Sequence, residues 1–236
     1  MPTLAIATSI VKKLKTAGHI AYFAGGWVRD LCLQKPSDDI DIATSASVEE
    51  VQALFSKTIP VGVAFGIVIV VENGHQFEVA TFRKDRGYTD GRRPTGIERT
   101  TPEEDATRRD FTINGMFFDP IENKLLDYVN GQEDIQRKII RAIGDPRERF
   151  LEDRLRMMRA IRYSTRFDFS IEKKQKRQFL PKLTHSFRQL QWNGSGKNLK
   201  KCPSLPILIQ ALSSSKNSVF CLLSSQVLKI SKSSLS

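Results

Sequence analysis

Three aspartates fall within four positions of KPSDDIDIAT, residues 35–44, where Asp39 and Asp41 alternate with β-branched Ile40 and Ile42. Alternation of this kind is a strand pattern, and residues i and i+2 of a strand share a face. Asp39 and Asp41 then present two carboxylates about 7 Å apart, from the strand rise, with Asp38 turned the other way. Such a pair suits a hard divalent cation. Mg²⁺ takes carboxylate oxygens and completes its shell with water and substrate phosphate. For the tetrapeptide alone, a solvated Asp-rich turn is at least as good an explanation, so the rest of the chain has to decide. Glu78, in HQFEVATF, is a lone acid among apolar neighbours, sharing a face with Gln76 and Ala80. An acid there is costly unless it is paired, bound to a metal, or turned to water from an edge strand. Beside Asp39 and Asp41 it completes a trio able to hold two Mg²⁺ ions for in-line displacement at phosphorus.

Two further segments carry phosphate or base chemistry. In AGGWVRD, Gly25 and Gly26 lie between a strand and a helix, where bare backbone N–H groups can approach a phosphate. Arg29 adds a forked cation for phosphate oxygens. A diglycine alone is a weak signal, but GG-x-V-R-D followed by D-x-D is much stronger. In EDRLRMMRAIR, a continuous helix places Glu152, Asp153, Arg156, Arg159 and Arg162 on a polar half, with Leu151, Leu155, Met158 and Ile161 on another face. An ion-paired solvated helix satisfies that pattern. So does a base reader: an Asp acceptor beside an Arg donor fork complements an exocyclic amine next to a bare ring nitrogen. Cytosine and adenine present that edge, whereas uracil and guanine present the reverse.

The elements that position these residues follow from periodicity. Residues 4–17 read as a helix closed by Gly18, HIAYFAGG as a short strand, WVRDLCLQ as a turn or two of helix, and DIDIAT as a strand. Ser47 and Glu50 form a capping box at the start of SASVEEVQALF. Two β runs flank Asn73-Gly74, a strong hairpin turn. Residues 83–107 are charged, Gly/Pro-punctuated and without periodicity, and are expected to form a mobile loop. RRDFTINGMFFD leads into a helix or strand, a charged cluster that simple helix capping also explains. From GQEDIQRKIIRAIG through DPRERFLEDRLRMMRAIRYSTRF the reading is helical.

Composition sets the outer limits. The chain has 236 residues and a net charge of +11, yet all 26 acidic residues lie at or before Glu172. Against them stand 25 basic residues, and the other 12 fall in 173–236. The basic excess therefore belongs to the C-terminal segment and not to the part carrying the motifs, and it is discounted as a nucleic-acid signal. No run of 18 apolar residues marks a membrane span, and the N-terminus lacks the form of a secretory signal. Cys32, Cys202 and Cys221 are few and widely spaced, which suits a reducing, cytoplasmic compartment and neither a disulfide scaffold nor a zinc site. Past residue 175 acids vanish and Ser clusters appear, but PILIQAL and VFCLLSSQVLKI are too apolar for a disordered tail. An abnormal reading of the gene, such as a frameshift near residue 177, is the expectation there.

FAGGWVRDLCLQKPSDDIDIATSA resembles the bacterial-type tRNA nucleotidyltransferase/poly(A) polymerase family, the class II CCA-adding enzymes. FEVATFR, GRRP, RRDFTINGM and GDPRERFLEDRLRMMRAIRYSTRF follow in the family's order, so that the likeness covers roughly residues 20–170. It implies an α+β fold: a polymerase-β-like nucleotidyltransferase head with a short mixed sheet over residues 1–138, then an α-helical, nucleobase-reading neck over 139–175. Residues 176–236 are left as an aberrant or poorly ordered basic, Ser-rich tail. The resemblance implies that Asp39, Asp41 and Glu78 are the catalytic carboxylates and Mg²⁺ ligands, and that Arg109 contacts the nucleotide. It further implies that Asp110 and Asn114 read the ribose hydroxyls, that Asp153 and Arg156 select CTP and ATP, and that Arg159 and Arg162 lie near base or triphosphate. Arg154 stands where the family often has a small residue.

The activity implied is template-independent addition of CMP and AMP to the tRNA 3′ end. Poly(A) polymerases of this family carry a basic stretch before the third-carboxylate strand, and IPVGVAFGIVIVV is not basic. Enzymes adding only C tend to lose the loop that here spans 83–107 with YTDGRRP intact. CCA addition is favoured, A addition second. A non-catalytic product that binds nucleotide without productive tRNA binding is the alternative of another class, because the family's tRNA-holding regions are not recognisable after residue 175. No protein partner is evident.

Overall fold

A computed structural model describes residues 2–35, 37–88, 94–153 and 155–176. The centre of the 83–107 segment (89–93), Arg154 and the proposed frameshifted tail from 177 onward lie outside the described residues. The chain divides into two compact units. The first joins Met1–Arg137 to Arg141–Asp153, and the second joins Lys138–Ile140 to the chain beyond Asp153. Residues 141–153, placed in the neck by the 138/139 boundary expected from the sequence, group in this division with the sheet-bearing unit.

In the first unit, α1 (Pro2–Thr16) leads into β1 (Ala21–Ala24), α2 (Gly26–Cys32), β2 (Asp41–Thr44) and α3 (Val48–Leu54). Ser47 caps α3 and Glu50 returns the bond to the Ser47 N–H, the capping box read from the sequence. The edge strand β3 (Thr58–Gly62) precedes β4 (Ile67–Glu72) and β5 (His75–Thr81). Asn73 and Gly74 take φ values of 50° and 79°, the positive pair that a tight two-residue hairpin requires. β8 (Phe117–Asp119) and β9 (Lys124–Leu126) complete a seven-stranded sheet in the order β3-β4-β5-β2-β1-β8-β9. It is mixed: β2 and β5 run parallel and the other neighbours antiparallel. The fold is α+β, as expected, with a broader sheet than the short one anticipated.

One face of this sheet is covered. Ile10, Val11 and Leu14 of α1, Val28 of α2 and Val51 of α3 pack on Phe23, Ile42, Val70, Phe77 and Val79. Alternation turns Asp41 and Ala43 of β2, and Glu78 and Ala80 of β5, to the opposite face. The small cluster of Ala24, Ala43, Phe82, Ala106 and Phe117 forms a separate hydrophobic patch.

The expectation of a loop over 83–107 is corrected. β6 (Arg83–Tyr88) and β7 (Pro94–Arg99) pair antiparallel with Arg83 opposite Arg99 and Lys84 opposite Glu98. α4 (Pro102–Arg108) follows, with Thr101 as its N-cap and Pro102 at its first turn. A two-stranded ribbon outside the main sheet need not bury one whole face, so no apolar alternation marks it in the sequence. After a 3-10 turn (Thr112–Asn114), β8 and β9, the first unit continues through α5 (Gly131–Gln136) and α6 (Pro146–Glu152).

The second unit contains the two-residue strands β10 (Ile139–Ile140) and β11 (Ser170–Ile171), paired parallel, and α7 (Leu155–Phe167). The stretch expected to be wholly helical from 131 onward is therefore interrupted by strand at 139–140. It is also broken at Asp153, whose φ of −143° and ψ of 106° are extended. α7 buries Arg156, Ala160, Ile161, Tyr163, Ser164 and Phe167, spaced for one helical stripe. Leu151 and Leu155, assigned to an apolar face, are instead exposed.

Candidate active site

The acidic trio lies where β2 and β5 run side by side. Their parallel register sets Ile42 beside Val79 and Ala43 beside Ala80, which carries Asp41 to the level of Glu78. Ile40 and Ile42 are buried while Asp39 is exposed and Asp41 half-buried, so the alternation read from the sequence holds. Asp39 precedes β2, which begins at Asp41. Glu78 is exposed, but β5 lies inside the sheet between β4 and β2, so its solvent is that of an open sheet face and not of an edge. Burial, then Glu78, then Asp39 push the Asp41 carboxyl up to about 6, against the pull of Arg109. Asp41 thus feels the negative charge of Glu78 and Asp39 more than the positive charge of Arg109.

Among the described residues, no three His, Cys, Asp or Glu side chains are grouped so as to hold one metal ion. The donor set has the hard oxygen chemistry of Mg²⁺, and its excess charge at Asp41 is what a divalent cation offsets. The fit is one of charge and donor type.

Gly25 forms the turn between β1 and α2 with φ 64° and ψ −125°, a conformation costly for any residue with a Cβ. A Cβ built there would lie 3.5 Å from Nη1 of Arg109 and 3.8 Å from Oδ2 of Asp41. The turn, the cation and the carboxylate therefore converge. Arg109 is the C-cap of α4, at a helix end and not the helix start considered from the sequence. Its Nε and Nη2 donate to Oδ2 of Asp105 at 3.1 and 2.9 Å, and its guanidinium lies 4.7 Å from the Phe117 ring centroid. Nη2 of Arg149 donates to the Arg109 carbonyl at 2.7 Å and also to that of Arg108, fixing the backbone there.

Arg29 is 4% exposed, with Nε donating to Oδ1 of Asp30 at 2.8 Å and Nη1 to Oδ1 of Asn114 at 2.7 Å. A Cβ at Gly26 would sit 3.5 Å from its Nη2, so the guanidinium lies against the diglycine. Its bond to Asn114 also ties α2 to the 112–114 turn. Asn114 and Asp110 belong to the same buried network. Nδ2 of Asn114 donates to Oδ1 of Asp110 at 3.2 Å, and that oxygen also accepts from the Phe111 N–H at 2.8 Å.

The residues expected to read the base are divided. Asp153 closes the first unit as the C-cap of α6, and Arg156, Arg159 and Arg162 belong to α7 of the second. Arg156 is buried, whereas Arg159 and Arg162 are exposed. The continuous helix that set Asp153 beside Arg156 is not present.

Sequence reasoning missed Asp105 and Phe117. Asp105 precedes Arg108 and Arg109 by three and four residues, an ion-pair spacing visible in PEEDATRR once that stretch is read as helix. Phe117 carried no signal beyond strand apolarity.

Residues 21–141 match the model of the poly A polymerase head domain. Two CCA-adding enzymes of Bacillus cereus, from strains Q1 and B4264, are each 50% identical to the chain over 171 residues. That is 72% of this chain and 43% of each relative, so the chain spans less than half the length of these curated relatives. Among solved structures, a Bacillus stearothermophilus CCA-adding enzyme in complex with CTP superposes with a TM-score of 0.70 at 41% identity. The likeness covers 78% of this chain and 45% of that one. A tRNA nucleotidyltransferase complexed with a primer tRNA and an incoming ATP analog gives a TM-score of 0.62 at 26% identity, over 86% and 55% of the two chains. Built on that head-domain sheet, with its paired aspartates on the open face, the chain belongs to the poly A polymerase head-domain family, alongside the CCA-adding enzymes.

Proposed function

We propose that the chain forms the nucleotide-transfer site of a CCA-adding tRNA nucleotidyltransferase, taking CTP and ATP as substrates and the 3′ end of tRNA as acceptor. The observation that carries this reading is the convergence of Asp41, Arg109 and the Gly25 turn, with Asp39 and Glu78 adding charge to the same point. The likeness to CCA-adding enzymes, one of them in complex with CTP, supports it.

The reaction is attack of the primer 3′-hydroxyl on the α-phosphate with loss of pyrophosphate. Asp41, with Asp39 and Glu78, would hold Mg²⁺; the chemistry supplied by the bound ion is a lowered hydroxyl pKa and compensation of charge on the leaving group. Gly25 lets backbone come close to the triphosphate, and Nη1 of Arg109 faces that approach. The buried Arg29–Asn114–Asp110 network holds the 112–114 turn at the ribose side. The family likeness supports a base-reading role for Asp153 in the first unit, and base or phosphate contacts for Arg156, Arg159 and Arg162 in the second.

The test is extension of a tRNA ending at its discriminator base, with Mg²⁺ and each NTP singly and together. Ordered growth by C, C and A supports the reading, and growth by A alone points to an A-adding enzyme. Mg²⁺-dependent CTP binding without extension is the result expected of a nucleotide-binding piece lacking the tRNA-holding portion. The absence of both extension and CTP binding refutes the proposal.

A further inference from the structure

Asp105 is 1% exposed and accepts hydrogen bonds from three residues, one at the start of β6 and two at the end of its own helix. Oδ1 accepts from the Arg83 N–H at the start of β6 (3.0 Å) and from Nε of Arg108 (2.8 Å). Oδ2 accepts from Nε and Nη2 of Arg109. Burial alone would raise this carboxyl, but the Arg109 and Arg108 guanidiniums and the Arg83 N–H hold it below the usual range. It therefore stays ionised where an unpaired acid would be neutral.

The consequence lies at Arg109. With Nε and Nη2 taken by Asp105 and one face laid on Phe117, its outward corner is Nη1. That corner is the one beside the Gly25 turn, and it also lies 3.5 Å from the Asn114 carbonyl oxygen. An arginine side chain has many rotamers to lose on binding, and fixing it beforehand removes that cost from ligand binding.

We propose that Asp105 is a positioning residue of the nucleotide site: it orients Arg109 so that Nη1 meets the phosphate oxygens of a nucleoside triphosphate at the Gly25 turn, and ties that orientation to the base of the β6–β7 ribbon. The inference rests on the nucleotide-transfer reading above. Asp105→Asn keeps the size but removes the charge and turns an N–H₂ toward donors that need an acceptor.

CTP binding in Mg²⁺ buffer, measured by calorimetry on the full chain, tests it through Asp105→Asn, Arg109→Lys and the double variant. Asp105→Asn is expected to weaken CTP about tenfold, with melting followed in parallel. The double variant should be no weaker than Arg109→Lys alone, because lysine offers no fork for Asp105 to orient. If Asp105→Asn costs the same factor in the Lys background, its role is structural and the inference is overturned. Should Asp105→Asn fail to fold, Asp105→Glu keeps the charge and displaces the carboxylate by one methylene. The same weakening is expected of it, and wild-type affinity in the folded Glu variant overturns the inference. A folded wild-type chain without CTP affinity overturns the nucleotide reading and this inference with it; wild-type affinity in the Asp105 variants overturns the inference alone.

Discussion

Asp41→Asn is expected to make the metal-free protein more stable while removing the centre of its proposed chemistry. The Asp41 carboxyl sits at about 6 in the fold against 3.8 for the model group, because burial and the charges of Glu78 and Asp39 outweigh the pull of Arg109. A raised acid favours the fold when protonated. The stability Asp41 withholds is negligible below 3.8, grows as pH rises toward 6, and is complete above it. At 1.36 kcal/mol per unit the ceiling is about 3 kcal/mol at pH 7.5, and roughly half of that at pH 5. The Asn amide must still find hydrogen-bond partners in a half-buried site, which lowers the expected gain to about 1–2 kcal/mol. Urea unfolding in EDTA, wild type against variant, should show that gain at pH 7.5 and its disappearance near pH 4. Mg²⁺ should then stabilise the wild type and have little effect on the variant, since an ion that binds only the fold raises its stability by mass action. An Asn variant no more stable than wild type at pH 7.5, or a gain unchanged down to pH 4, refutes the account of Asp41 as an uncompensated charge.

Three other outcomes follow from local geometry. A Cβ on Gly131 would overlap the Thr112 carbonyl oxygen and come within 2.8 Å of Met116 Cγ, so Gly131→Ala should cost about 1–3 kcal/mol in urea unfolding. Ser47→Ala removes the acceptor for the Glu50 N–H at the start of α3 and should cost about 1 kcal/mol in the same assay. Asp153→Ala combined with Arg156→Ala should leave turnover measurable with CTP and ATP and admit UTP and GTP; unchanged rejection of those two in primer extension would remove the base-reading role from this pair.

What was legible in the sequence was whatever depended on neighbours along the chain. The Asn73-Gly74 turn, the Ser47–Glu50 box and the strand-to-helix passage at Gly25 each state their backbone geometry in two to four residues, and each is present. The alternation of Asp39 and Asp41 with Ile40 and Ile42 is equally local, and the buried isoleucines show why it survives. The misreadings have a common physical origin. The β6–β7 ribbon stands outside the main sheet and lacks the apolar stripe by which strands are recognised. The break at Asp153 falls in a sequence without Pro or Gly, in which every local preference continues the helix.

Arg29 shows the limit most clearly. Its surroundings in the sequence are those of a phosphate ligand, yet its Nη1 also donates to the side-chain Oδ1 of Asn114, 85 positions away. With Arg29 bonded to Asn114 beside Gly26, Arg109 brings a second cation to the Gly25 turn from the end of α4. A buried arginine pinned on Asn114 and a second arginine pinned on Asp105 are parts of one arrangement. The first ties α2 to the 112–114 turn, and the second holds a positive corner at the Gly25 turn, where Asp41 also lies. A site that must stabilise charge as it develops in a transition state needs its donors fixed beforehand, and the two buried acceptors, Asn114 and Asp105, are where this fold invests that order.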